Sequence, residues 1–434
     1  MFILRKRIRP IFSNFDTMKR KIVIACDSFK GCLESGEVAS AVAEGIRRVM
    51  PDAEIIISET ADGGEGTGMI LTQIMGGETI NALVKDPICR HVKTRYGIIK
   101  HDKSKTAIIE MAQASGLTLL SKEERNPLIT STYGTGEMIL DAIGKGCRRF
   151  LIGIGGSATN DGGTGMLEAL GFRFLDKKGK EIKGCCGGRL GEIADIDSKS
   201  VSQEILDSEF IIACDVTTPF CGEEGSTKVF ASQKGADDKA LESLESGMQS
   251  FAAVINQKYG INLNDIPGTG AAGGLGGAFK AFLKAELKSG IDIILEAAGF
   301  DNIIKGATLV ITGEGKIDFQ SSRGKVIDGI CRRCRAKNVP VLAIAGIIDD
   351  SQYTDIATDA EYISEDGLNT KTILKASDQM AYEAMTVIPI GPRPQNESDL
   401  EYAMRPEVAR KNISDTIAKA LEAPSPFLFR ENPL

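Results

Sequence analysis

FLIGIGGSATNDGGTG, residues 150–165, carries a short apolar strand into a loop of glycines, small hydroxyl residues, one amide and one carboxylate. An apolar helix resumes at Met166. Repeated glycines let consecutive backbone N–H groups point into one concavity, and a helix start close behind adds roughly half a positive charge. Such a loop holds phosphate without needing lysines. Ser157, Thr159, Asn160 and Asp161 set hydroxyl, amide and carboxylate groups beside that anion, a combination suited to Mg2+ and phosphoryl oxygens. Strand, glycine loop and helix in that order point to an α/β fold.

The same grammar extends to both sides. Residues 22–26 form a continuous apolar run, the pattern of a strand covered on both faces. Residues 35–50 carry Val38, Val42, Ile46 and Val49 on a helical stripe that Pro51 follows. A strand at 54–58, a loop at 61–66 and a helix through Met75 complete a βαβα opening. Shorter strands follow around 79–84, 95–99 and 107–110, then helix 137–143, strands 172–175 and 210–213, and a long helix 237–259. PGTGAAGGLGGAFKAFL, residues 267–283, is a second glycine-rich loop entering a helix. Parallel α/β signals return at 308–312, 325–336 and 341–345, and a last helix spans 407–421.

Two opening strands cannot make a sheet alone, and the late strands are their natural completion. The expected architecture is therefore two α/β domains with an active site in the cleft. Residues 18–85 plus 290–425 would form a discontinuous Rossmann-like domain, and 86–289 an inserted α/β domain carrying the glycine-rich loops. Residues 1–17, basic and outside this pattern, read as a disordered N-terminal extension, with folding beginning near Met18. A chain of 434 residues also exceeds what one core usually spans.

Composition narrows the partners. The net charge of −7, without a basic block in the body of the chain, excludes nucleic acid as a natural partner. It also means that an anionic substrate has to be held by local donors. No apolar run approaches the ~20 residues of a membrane span. Ten scattered cysteines, several in apolar strands, suit a reducing, cytoplasmic setting. Cys331 and Cys334 form a CxxC, but Cys185–Cys186 lacks ligand spacing and the two histidines, His91 and His101, lie near neither pair, so structural zinc is not expected.

Acids recur where strands end: Asp27, Asp62 with Glu65, Asp161, Asp215, and Glu314 with Asp318. Ligands of open α/β sheets sit at those ends. Gathered in one crevice, several carboxylates repel unless a divalent cation or a proton joins them, which is what Mg2+-dependent phosphoryl transfer requires. Lys30, Lys234, Lys316, Arg323 and Lys325 are candidate cations near these loops. No GxxxxGK[ST] occurs. A formal dinucleotide fingerprint, Gly153-x-Gly155-x-x-Ala158 with Asp176 downstream, keeps an NAD(P)-dependent oxidoreductase as an alternative, although the delay of the apolar helix to Met166 argues against it. A non-catalytic sugar-acid sensor is the other alternative.

As an ordered set, CDSFKG (26–31), ADGGEGT (61–67), STYGTGE (131–137), GIGGSATNDGG (153–163), ACDV (213–216), QKGA (233–236), GTGAAGGLG (268–276) and TGEGKID (312–318) resemble the bacterial-type glycerate kinase family. The resemblance covers Met18 to about Glu422. It implies phosphorylation of D-glycerate by ATP with Mg2+, leaning towards 2-phosphoglycerate. The chain departs from the family pattern at Thr218-Pro219, at DFQSSRGK (318–325) and in an insertion at 351–383. Under this resemblance Gly155, Gly156, Ser157, Thr159, Asn160, Gly162 and Gly163, with Gly273 and Gly274, are expected to hold phosphate or nucleotide. Asp161, Asp215 and Asp318 are expected at the metal. Lys30, Arg323, Lys325 and Glu314 are expected at the substrate, and Asp62, Asp215 and Lys30 in catalysis, the base being Asp62 or Asp215. The partner is a small molecule, with neither nucleic acid nor membrane, and a homodimer is the assembly considered.

Overall fold

The structure is a computed structural model that describes residues 20–29, 32–58, 60, 67–101, 104–317, 326–348, 385–389 and 404–422. Its elements begin β1 (Lys21–Cys26), α1 (Ser35–Val49), β2 (Glu54–Ile57), α2 (Thr67–Ile74), β3 (Glu78–Lys85), β4 (His91–His101), β5 (Ser104–Glu110). Then come α3 (Ala112–Ser115), α4 (Tyr133–Gly144), β6 (Cys147–Gly153), α5 (Thr164–Ala169), β7 (Arg173–Leu175), β8 (Glu181–Ile182), β9 (Asp195–Asp197), α6 (Gln203–Leu206). The chain continues through β10 (Glu209–Ala213), α7 (Ser226–Phe230), α8 (Asp238–Tyr259), α9 (Ala271–Leu283), β11 (Glu286–Lys288), α10 (Gly290–Ala297), α11 (Phe300–Ile303). It closes with β12 (Leu309–Ile317), α12 (Val326–Ala336), β13 (Val341–Ile348), β14 (Met385–Pro389) and α13 (Pro406–Glu422). None of the described helices is long and apolar enough to cross a membrane.

These elements divide into two compact units. One comprises the described residues within 1–58, 301–319 and 330–434; the other those within 59–300 and 320–329. In the first, five parallel strands run in the order β14-β13-β12-β1-β2. Ile22 and Ile24 of β1 and Ile311 of β12 share one core with Val38, Val42 and Ile46 of α1 and with Ile413 and Ile417 of α13. The two helices pack closely because Gly45 has no side chain: a Cβ there would lie 2.6 Å from the Ser414 carbonyl oxygen. From β1 the chain steps one way to β2, whereas β12 to β14 step the other way. The order thus reverses between β1 and β12, the place where such sheets open a crevice.

The second unit is built on a six-stranded sheet, β11-β10-β6-β5-β4-β3. β5, β6, β10 and β11 are parallel, while β3, β4 and β5 form an antiparallel meander. Side chains alternate between two apolar faces. Phe150, Ile152, Phe210 and Ile212 join Met138, Leu167, Met248 and Phe279 of the helices on one side. Ile108, Leu151 and Ile211 join Leu71 of α2 and Ile293 and Ile294 of α10 on the other. Double coverage explains the continuous apolar runs in the sequence.

One boundary differs from expectation. Residues 67–85, and α10, were placed with the terminal segments, but β3 pairs with β4 and α2 covers the face of β5, so both belong to the second unit. The helix–strand alternation of 67–85 reads as a continuation of the parallel pattern. Only the antiparallel pairing of β3 assigns it elsewhere.

Candidate active site

Strands β5, β6 and β10 end in register, with Glu110, Gly153 and Ala213 side by side. Adjacent strands lie about 5 Å apart, so the segments leaving them crowd one edge of the sheet. The segment after β6 makes a turn at Gly155 and Gly156, both exposed, with Gly156 at φ +73°. A short ribbon pins it: Leu117 N donates to Gly156 O at 2.9 Å and Ala158 N to Ser115 O at 2.9 Å. Among the described residues none accepts from the amides of Gly155, Gly156 or Ser157. Three neighbouring donors without a protein acceptor form a cradle for an anion.

The rest of the loop does something else. Asp161 is fully buried and is the hub of the segment. Its Oδ2 accepts from Thr132 N at 2.8 Å, Thr132 Oγ1 at 2.8 Å and Gly165 N at 3.2 Å, and its Oδ1 accepts from Gly163 N at 3.1 Å. Met166 N donates to Thr132 Oγ1 at 2.9 Å. Burial pushes the Asp161 carboxyl up while these bonds pull it down. Both oxygens of Asp161, a residue expected at the metal, are thus taken up by hydrogen bonds to Thr132, Gly163 and Gly165. An internal carboxylate already occupies the first amides of α5, the position a dinucleotide pyrophosphate takes in an oxidoreductase.

Of the residues expected at phosphate or nucleotide, Thr159, Asn160, Gly162, Gly163, Gly273 and Gly274 are all buried. The glycines permit two loops to press backbone against backbone. Gly162 N donates to Gly273 O at 2.9 Å, and a Cβ on Gly273 would lie 2.0 Å from Thr159 O. One on Gly163 would lie 2.4 Å from Ala278 Cβ. Gly273 stands at φ +71°, so Gly273→Ala adds left-handed strain to a backbone clash. Its expected cost is at least about 2 kcal/mol in urea unfolding, and a loss under about 0.5 kcal/mol, the scale of an ordinary surface substitution, would contradict this packing. Asn160 Nδ2 donates to Thr227 Oγ1 at 3.2 Å, while Thr159 Oγ1, Asn160 Oδ1 and Ser226 Oγ are buried with no hydrogen-bond partner among the described residues. Bound water is the usual means of satisfying such atoms.

Two carboxylates flank the exposed turn on the neighbouring strand ends. Asp215, half-buried beyond β10, accepts from Gly290 N at the start of α10 at 2.7 Å. Glu110, the last residue of β5, accepts from Gly68 N in the first turn of α2 at 2.9 Å. Sequence reasoning passed over Glu110; its signal was the same as for the others, an acid closing an apolar strand. In the first unit Asp27 and Glu314 are buried at the point where the strand order reverses, with Asp27 N donating to Gly313 O at 2.9 Å. Lys30, Asp62, Asp318, Arg323 and Lys325 lie outside the described residues. Among the described residues no three His, Cys, Asp or Glu side chains converge to hold a metal.

The model of the glycerate kinase family matches residues 22–387. A glycerate 2-kinase of Escherichia coli (strain K12) is 45% identical over 330 residues, covering 76% of this chain and 86% of that protein. A glycerate kinase of Bacillus subtilis (strain 168) is 45% identical over 328 residues, 76% of this chain and 85% of its own. A crystal structure assigned to glycerate kinase 2 of Salmonella typhimurium LT2 superposes with a TM-score of 0.71 at 34% identity, covering 94% of this chain and 100% of that one. With eight ordered motifs, a family model spanning most of the chain and relatives at this identity in agreement, the chain belongs to the glycerate kinase family.

Proposed function

We propose that this chain transfers the γ-phosphate of ATP to the 2-hydroxyl of D-glycerate, giving 2-phosphoglycerate and ADP, in the cytoplasm. The observation that supports this most directly is the turn at Gly155 and Gly156, exposed and with no acceptor for its amides among the described residues, on the strand end between those that lead to Glu110 and Asp215. Phosphoryl transfer asks a protein mainly for positioning and for charge stabilisation. The turn's amides hold phosphate oxygens without adding mobile side chains. Asp215 accepts the proton of the attacking hydroxyl as its oxygen bonds to the γ-phosphorus and the bridging oxygen leaves with ADP. Magnesium would enter as part of the nucleotide substrate, with Asp215 as the carboxylate that meets it. Lys30 and Arg323 pair with the glycerate carboxylate in this reading, since a small anionic acid in a chain of net charge −7 needs a local cationic clamp.

Phosphorus NMR of the chain incubated with ATP, Mg2+ and D-glycerate tests the reaction and its regiochemistry together. The expected spectrum gains ADP and the 2-phosphate ester. A 3-phosphate ester would correct the position, and no ester at all would remove the reaction.

A further inference from the structure

Lys234, in the QKGA block, does not face solvent as a substrate cation would. It is 2% exposed. Its Nζ donates to the Thr159 carbonyl at 2.7 Å, two residues before Asp161. The chain turns it inward through Gly235, at φ +97°, where a Cβ would lie 2.1 Å from Arg125 O. Burial pushes the ammonium down to about 7, and the charge that pulls it back up is Asp161. Lys234 and Asp161 are thus both buried, and Thr159, which Lys234 holds, follows the Gly155–Ser157 segment by two residues. Lys234 makes no ion pair with Asp161, but it is bonded to the carbonyl two residues before it, and the two charges interact through space.

We propose that Lys234 is a positioning residue for the phosphate cradle: its buried ammonium offsets the Asp161 carboxylate and holds the Thr159 carbonyl, so that bound phosphate meets donors rather than an uncompensated negative charge. The inference rests on the proposed kinase reading of the same turn. Asp161 is needed where it stands, because it satisfies four donors, two on Thr132 before α4 and two on Gly163 and Gly165 at the α5 start. Left alone, it would keep a negative charge on the segment that carries the anion site, four residues beyond Ser157. In a medium of low dielectric such repulsion reaches several ångströms and is weakly screened by salt. Lys234 removes it without reaching the ligand.

The test is ATP binding by calorimetry at pH 6.5 with Mg2+, on the full chain. Lys234→Gln, which keeps a donor near Thr159 O but no charge, is expected to weaken ATP binding at least tenfold, and Lys234→Met likewise. Adding Asp161→Asn to Lys234→Gln is expected to restore affinity to within threefold of wild type, which a role in packing or hydrogen bonding alone would not do. In turnover the single variants raise KM for ATP more than they lower kcat. Wild-type affinity in Lys234→Gln, or a double variant no better than the single, would overturn the proposal. If the single variants fail to fold but fold once Asp161→Asn is added, charge balance is supported through folding itself; failure of all of them would overturn it in favour of packing. The same affinity pattern in a chain that makes no phosphoglycerate would support this inference while removing the proposed reaction.

Discussion

Asp215→Asn lowers kcat by about a thousandfold, the scale of a lost general base, and leaves ATP affinity within a few-fold of wild type. The separation follows from what the side chain does in the fold. Asp215 accepts from Gly290 N at 2.7 Å, and an asparagine carbonyl can accept the same bond. The start of α10 and the end of β10 thus stay where they are. What asparagine cannot do is take a proton from an attacking hydroxyl or carry negative charge towards a magnesium-bound phosphate. Steady-state kinetics with D-glycerate at saturating ATP, alongside calorimetric ATP binding, reads both halves. A kcat within tenfold of wild type would take Asp215 out of the chemistry and leave Asp62 as the base to test.

Asp161→Ala abolishes cooperative folding of the unit that contains it, a larger effect on stability than on any single catalytic step. Four donors lose their acceptor at once: Thr132 N, Thr132 Oγ1, Gly163 N and Gly165 N. Each buried donor left unsatisfied costs about 1–3 kcal/mol, and the sum rivals the roughly 5–15 kcal/mol that holds a whole domain together. Asp161→Asn is milder, because one oxygen remains to accept the three bonds now made by Oδ2. Urea unfolding followed by circular dichroism, with ATP binding measured on whatever folds, distinguishes this from a metal role. A metal ligand replaced by alanine would lose activity and keep its melting temperature; Asp161 loses its fold first.

Much of the architecture was legible because its signals are local. Val38, Val42 and Ile46 repeat at helical spacing and form the buried stripe of α1. Ile22–Cys26 is apolar throughout because both faces of a parallel sheet are covered. The assignment of β3 was not legible, since strand propensity does not say which neighbour a strand pairs with. The candidate site divides along the same line. That residues 153–165 and 267–276 are close-approach loops is written in their glycines, and that acids stand at strand ends is written in Glu110 and Asp215. Which glycine meets a ligand and which meets another backbone is not.

The sequence by itself determined the α/β class, the strands and helices, the family, and the chemistry on offer: amide cradles and strand-end carboxylates. Only the tertiary structure decided how that chemistry is divided. It left Gly155 and Gly156 exposed, and pressed Gly162 onto Gly273 and Gly274 and Gly163 onto Ala278. It closed Asp161 over the start of α5 and drew Lys234 in beneath it. The physical reason is that a glycine or an aspartate has the same local preferences facing water or facing protein. Whether it binds or packs is set by contacts between residues far apart in the chain, here Thr159 with Gly273 and Thr132 with Asp161.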